Sequence, residues 1–377
     1  MNTPKLIAFY FPQFHAIPEN DVWWGKDFQD WMLVQRSKPL YKGHNQPRIP
    51  YGQNYYNPCD YSVLAEQAKM AKEYGVYGFM FYHYYFDGKL LLERPLETLL
   101  QHKEINMPFC ISWANESWTR GWIGKPHVIL QEQKHVYDKK LWERHFMYLL
   151  PFFVDERYIR VDGKPIFIIY QPTILSHTKE FISYWNELAV KNGLKGLYFI
   201  ANKNHQYVND NFLAHYDALL KFQPREAYNS KDFKLNNIAA NFQFLRNMPE
   251  KWQGYLRRLW QLLFSYTIID SNKIWEIILS HAYEKCEYGL TVYESAFFEW
   301  DNTPRYGKYA KIYTGMSKQN MKDNLQKLYN LAMENESNFI FFNAWNEWSE
   351  SAYLEPDTKN GFDYLNIIKS IFQNNQK

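Results

Sequence analysis

Apolar runs of six to nine residues recur along the chain, and between several of them apolar positions follow the period of a helix. The runs are KLIAFYF (5–11), GVYGFMFYH (75–83), MPFCISWA (107–114), PIFIIYQ (165–171), GLYFIAN (196–202), DALLKF (217–222), LTVYESAFF (290–298) and NFIFFNAW (338–345). Continuous apolar runs suit strands covered on both faces, as in a parallel sheet. In YSVLAEQAKMAKEYG the residues Leu64, Ala68 and Ala71 share one helical face, and Gly75 is placed to end that helix as its C′ glycine. Leu325, Leu328 and Ala332 repeat the pattern in NMKDNLQKLYNLAMEN. Eight strands alternating with helices predict an α/β fold, a (β/α)8 barrel, in one domain over residues 1–377. The rival is an open doubly wound sheet, but its usual glycine-rich first turn is absent.

Two segments exceed ordinary connections. Residues 12–60 hold Trp23, Trp24 and Trp31 and predict a long, structured loop between the first strand and the first helix, over one end of the barrel. Residues 225–288, before strand seven, predict a helical insertion, with YLRRLWQLLFSYTII (255–269) and KIWEIILSHAY (273–283) as amphipathic candidates. Simple packing, a lid, an oligomer contact and a peripheral membrane contact through 255–280 all remain open for it.

Composition narrows the classes. A net charge of +3, with no basic block beyond YLRRLW, does not point to nucleic acid. Cys59, Cys110 and Cys286 are an odd number at unrelated spacings, which encodes neither a disulfide framework nor a zinc knuckle. The N-terminus lacks a secretory pattern, and no stretch reaches the roughly 18 apolar residues of a membrane span, so the expected location is the cytoplasm. The 14 Trp and 31 Tyr are far above ordinary usage and ask for a use.

That use is suggested by the residues just past each strand, since barrel active sites assemble beyond the C-terminal strand ends. Tyr10 stands near the end of the first strand, Gln13 and His15 come after it, with Trp24 in the long loop, and Tyr82, His83, Tyr84 and Tyr85 close the second. Trp113, Asn115, Glu116, Trp118 and Arg120 come after the third, Tyr170 and Gln171 after the fourth, and Asn202 and Asn204 after the fifth. Asp301 and Arg305 lie past the seventh; an ion pair between these two is an equally good account of them. The eighth runs into Trp345, Asn346, Glu347, Trp348, Glu350 and Glu355. Aromatic rings stack on the C–H faces of sugars while amides and carboxylates fix hydroxyls, so this mixture predicts a carbohydrate site. Glu347 and Glu350 are three apart and share a face in a helix or tight turn, at about 5–6 Å between Cβ atoms. Carboxyl pairs of retaining glycosidases stand about 5–5.5 Å apart and those of inverting ones about 6.5–9.5 Å. The chain has no D-x-D, G-x-G-x-x-G, P-loop, H-E-x-x-H or G-x-S-x-G, and no metal or cofactor is expected.

Several blocks then carry a resemblance. IAFYFPQFHAIPENDVWWGKDFQDW, KPLYKGHNQP, YGVYGFMFYHYYFDGKLLLERPL, PFCISWANESWTR, DERYIRVDGKPIFIIYQP, WDNTPRYG and FNAWNEWSESAYLEPD resemble, in matching order, the WbsX-like proteins of bacterial polysaccharide clusters, also called glycoside hydrolase family 99-like. The resemblance is weakest across 225–288. It implies a (β/α)8 barrel and, by way of family 99 proper, an endo-acting α-mannosidase that retains configuration without a metal. The family's Glu-Trp-x-Glu segment looks like Glu347-Trp348-Ser349-Glu350. By that likeness Glu347 is the base that lets a substrate 2-hydroxyl attack the anomeric carbon, and Glu350 is the acid and later the base. Ser349 and Ser351 stand where family 99 enzymes tend to show His and Gly. The expected substrate is a surface polysaccharide or its precursor, free or lipid-linked. The alternatives are a glycosyltransferase of O-antigen or capsular polysaccharide (lipopolysaccharide) biosynthesis and a catalytically silent sugar-binding barrel. The last expects the Glu347 and Glu350 carboxyls to point apart or sit in ion pairs.

Overall fold

The computed structural model describes residues 3–373 apart from 122–123, 206, 208–209, 234–265 and 287. Eight parallel strands form the barrel: β1 (Lys5–Tyr10), β2 (Val76–Phe86), β3 (Phe109–Trp113), β4 (Lys164–Ile169), β5 (Tyr198–Lys203), β6 (Ala218–Lys221), β7 (Thr291–Tyr293, resuming at Ser295–Ala296) and β8 (Phe339–Phe342). Each falls on one of the eight apolar runs. The order is sequential, and β8 pairs with β1 through Lys5 opposite Phe339. Strand β7 changes neighbour within itself: Thr291–Tyr293 pairs with β6 and Ser295–Ala296 with β8. At the joint, the Glu294 carbonyl accepts from Phe341 N at 2.9 Å, and its fully buried side chain meets Lys221 Nζ at 3.0 Å. That buried pair accounts for a polar residue in the middle of an apolar run.

The helices behave as their periodicity implies. Helix Tyr61–Glu73 buries Leu64, Ala68 and Ala71, and Gly75 follows its cap with a φ of 87°. Helix Lys318–Glu334 buries Leu325, Leu328 and Ala332. The long β1 loop carries two short helices, Pro18–Trp24 and Asp30–Arg36.

Part of the insertion differs from its reading. Most of YLRRLWQLLFSYTII lies outside the described residues, and its end is extended: Thr267–Asp270 pairs in parallel with Lys311–Thr314, beside Trp300–Asp301. The second candidate is helical, as Ser271–Ser280. Its Ile274, Trp275 and Ile278 are buried, with Trp275 stacked on Phe297 at 5.9 Å. This apolar face is therefore used inside the molecule, and that stretch of 255–280 does not offer it to a membrane. Among the described residues no helix is long and apolar enough to cross one.

Packing around the barrel leaves little slack at Gly78, which pairs with Ile7 of β1. A Cβ there would lie 2.8 Å from the Pro108 carbonyl oxygen and 2.9 Å from Ile159 Cδ1. Gly78→Ala is expected to destabilise the fold by about 1–3 kcal/mol through overpacking; an unchanged midpoint in urea unfolding would show that the barrel can open there.

Candidate active site

Past the end of β8 the chain turns into a small hairpin whose strands are Asn346–Glu347 and Ala352–Tyr353. Its tip is a 3₁₀ turn, Trp348–Glu350, followed by Ser351 in the left-handed region at φ 50°. The Asn346 side chain both accepts from Phe11 N at 2.7 Å and donates to Phe11 O at 3.0 Å, locking the hairpin to the end of β1. Glu355 accepts from Tyr56 Oη at 2.7 Å, Gln67 Nε2 at 2.6 Å and Trp348 Nε1 at 2.7 Å. Burial pushes its carboxyl up to about 7. Trp348 is fully buried and stacks on Tyr353 at 3.8 Å. Glu355, Asn346 and Trp348, expected as substrate contacts, thus spend these bonds on fixing the hairpin and are not among the residues that line the cavity beside it.

The remaining two acids come together. Arg305 Nη1 donates to Glu350 Oε1 at 2.7 Å, and Nη2 donates to Glu347 Oε2 at 3.1 Å and to Asp30 Oδ2 at 3.1 Å. Asp30 is fully buried at the start of helix Asp30–Arg36, where it also accepts from Gln13 Nε2 at 2.9 Å and from the Ser349 hydroxyl. One guanidinium is thereby shared by three carboxylates. Glu347 is pushed up to about 8: burial raises it most, Arg305 pulls it back, and Glu350 raises it further. Asp301 is not the partner of Arg305. It accepts from His44 Nε2 at 2.8 Å, Gln46 Nε2 at 2.6 Å and Thr303 N at 3.0 Å.

Glu347 and Glu350 line a cavity of about 270 Å³ at the C-terminal end of the barrel. Of the residues expected to contact substrate, Gln13, Trp24, Tyr84, Glu116, Trp118, Tyr170 and Arg305 also line it. Trp118 stands in a hairpin, Trp118–Arg120 with Lys125–Gln131, and meets Tyr84 edge-on at 5.1 Å. Tyr170 meets Tyr82 edge-on at 5.8 Å.

The others lie elsewhere, mostly for one reason. Successive side chains of a strand point to opposite faces, and with Tyr82 and Tyr84 turned into the barrel, His83 is turned out. Its Nε2 lies 2.8 Å from His145 Nε2, on helix Lys139–Phe153, and burial pushes its ring down to about 3. Trp113 is likewise outside, donating to the Tyr85 carbonyl at 3.1 Å and packed on His145 and Phe181. Tyr10 faces the helix layer and donates to Gln67 Oε1 at 2.7 Å. Trp345 is fully buried against Phe79. His15 is buried with Nδ1 3.0 Å from the Pro12 carbonyl, and burial pushes its ring down to about 4. Asn115 bridges two strand ends by bonding Gln171 N at 2.7 Å and Gln171 O at 2.9 Å. Asn202 holds the Tyr170 carbonyl from below at 3.1 Å.

Tyr82, named with the second strand end, also lines the cavity, as do residues that the strand-end pattern did not single out: Phe222, Arg225, Tyr306 and Asn343. Phe222 and Arg225 come from the end of β6, flanking a cis Gln223–Pro224 bond, and the Asn343 side chain donates to the Gln223 carbonyl at 3.0 Å. The signal was present in KFQPREA, a strand end that turns polar and aromatic like the other seven. Among the described residues no cluster of three or more His, Cys, Asp or Glu is placed to hold a metal ion.

Comparison with known proteins bears on the family and the fold. The model of the family described as glycosyltransferase WbsX matches residues 6–368. The uncharacterized protein WxcX of Xanthomonas campestris pv. campestris, in strains ATCC 33913 and B100, is 33% identical over 368 residues, which are 97% of this chain and 49% of each relative. The chain thus spans about half the length of the curated relatives it matches. In structure it is similar to the GH99 endo-α-mannosidase of Bacteroides thetaiotaomicron, with a TM-score of 0.56 at 13% identity over 98% of this chain and 97% of that one. A glycoside hydrolase-like protein gives 0.60 at 12% identity over 99% and 94%. These structural likenesses carry the barrel fold. Matched over nearly its whole length, the chain belongs to the glycosyltransferase WbsX family, which its description makes a carbohydrate-active one.

Proposed function

We propose that the barrel is the catalytic unit of a retaining, glycoside-active enzyme, a hydrolase or transglycosylase, acting on a bacterial surface polysaccharide or its precursor. The carrying observation is that Glu347 and Glu350 both line one cavity walled by Trp24, Trp118, Tyr82 and Tyr84 at the C-terminal end of the barrel. In the proposed reaction Glu347 takes the proton of the substrate 2-hydroxyl, whose oxygen attacks the anomeric carbon as the bond to the leaving oxygen breaks. Glu350 gives its proton to that oxygen. Glu350 then takes a proton from water or an acceptor hydroxyl, which opens the 1,2-anhydro sugar, and the 2-oxygen recovers its proton from Glu347. Two displacements at one carbon retain its configuration.

Incubation with α-linked oligosaccharides, with NMR of the first product formed, tests this reading; an inverted first product overturns it. A glycosyltransferase of polysaccharide assembly is the second reading, supported by the family's description. A silent binding barrel is favoured by one feature, the pairing of both acids with Arg305. Binding of oligosaccharide without any product would select it.

The raised proton affinity of Glu347 fixes a pH dependence. A base must be unprotonated to act, so the limb of the kcat/KM profile that reports Glu347 is expected to rise with pH up to about 8. A rate that instead falls through this range would make Glu347 the proton donor and reverse the two roles.

A further inference from the structure

Arg225 is a cation of the cavity with no carboxylate at ion-pair distance among the described residues. It opens the short helix Arg225–Tyr228 past the end of β6. Its guanidinium carbon lies 5.5 Å from the Trp300 ring centroid and 5.9 Å from that of Phe222. Nη1 donates to Tyr170 Oη at 3.3 Å, a long bond. Ring contacts of this kind hold a guanidinium in place and leave its N–H edge available for a planar oxyanion. Arg225 is half-buried, and the long bond to Tyr170 engages one edge of its fork of five donors, so a ligand in the cavity can meet the rest.

The other charges of the cavity have partners. Asp30, Glu347 and Glu350 surround Arg305, and Glu116 accepts from Gln171 Nε2 at 3.2 Å. Glu116 feels the charge of Arg225 without reaching ion-pair distance, and burial pushes its carboxyl up, which weakens it as a counter-ion. We infer that Arg225 forms an anion subsite, taking a carboxylate or phosphoryl group carried by the glycan beside the sugar held at the Glu347–Glu350 pair. The inference rests on the glycan-active reading of the same cavity and adds the charge class of its substrate.

The test is calorimetric binding to the full chain carrying Glu350→Gln, so that turnover does not intervene. One arm compares a glucuronic acid disaccharide with its glucose counterpart, and the other compares a sugar 1-phosphate with the free sugar. The charged probe of one arm is expected to bind about 10- to 100-fold more tightly than its neutral match, as for a hydrogen-bonded charge pair. The arm that shows the preference identifies the anion. Adding Arg225→Gln should bring the ratio close to one. Arg225→Lys, which keeps the charge and loses the fork, should leave an intermediate ratio, and it supplies the reading if the Gln variant does not fold. Equal affinities in both arms, no binding of either charged probe at millimolar concentration, or a preference that survives in a folded Arg225→Gln protein overturns the subsite. If the preference holds while no glycoside is cleaved or transferred, the subsite stands and the proposed catalysis falls. If neutral glycosides turn over with retention and no anion preference appears, the reverse is true.

Discussion

Glu350→Gln is expected to lower turnover of glycosides with poor leaving groups by about 10²–10⁴-fold, the usual loss when a positioned proton donor is removed. An alkoxide departing from a sugar needs its proton during bond cleavage, whereas an activated aryloxide leaves without one. The loss should therefore shrink along a series of aryl glycosides as the leaving group becomes more acidic. The amide of the variant still presents an oxygen to Arg305 Nη1, now 2.7 Å from Glu350 Oε1, so sugar binding should stay close to that of the parent protein. Steady-state rates across the leaving-group series check this. A uniform loss, or none, would remove Glu350 from the donor role.

Arg305→Met is expected to destabilise the fold by about 3–5 kcal/mol at pH 8, since breaking a buried ion pair strands the charge left behind. Here Asp30, Glu347 and Glu350 would lose their shared partner at once. The loss depends on pH in a defined direction. Without the guanidinium, the folded-state proton affinity of Glu347, already raised to about 8 by burial, climbs further. The native state then binds more protons than the unfolded chain at pH values above the ordinary carboxylate range, so stability falls as pH rises from about 4.5 through that range. Urea unfolding at pH 5 and pH 8 should show most of the loss at the higher value. A variant as stable as the parent at pH 8 would mean that the carboxylates find another cation or stay protonated.

Much of the fold was legible in the sequence. Each of the eight apolar runs became a barrel strand, because a strand buried on both faces must be apolar throughout. Gly75 ended its helix where the periodicity stopped. The acid pair was legible too, since a spacing of three in a tight turn puts two side chains together wherever the turn lies.

The sequence left undecided which face of each strand end meets the cavity. A continuous apolar run has no alternation to betray its parity, so His83 and Trp113 looked as available as Tyr82 and Trp118. Only the sheet register turned the first two outward toward His145. The same limit hid the division among the acids at 347, 350 and 355, which share one short segment. Glu355 was taken by Tyr56 and Gln67, residues about 300 positions away. Arg305 was equally ambiguous: local spacing offered Asp301, but Asp30, from the long β1 loop, and the β8 hairpin claimed it. What the sequence by itself determined was the number and order of the strands and the chemistry at their ends, which are local matters of apolar runs and residue type. Tertiary structure decided which of those end groups share one cavity and one cation, because that depends on register and on contacts between residues hundreds of positions apart.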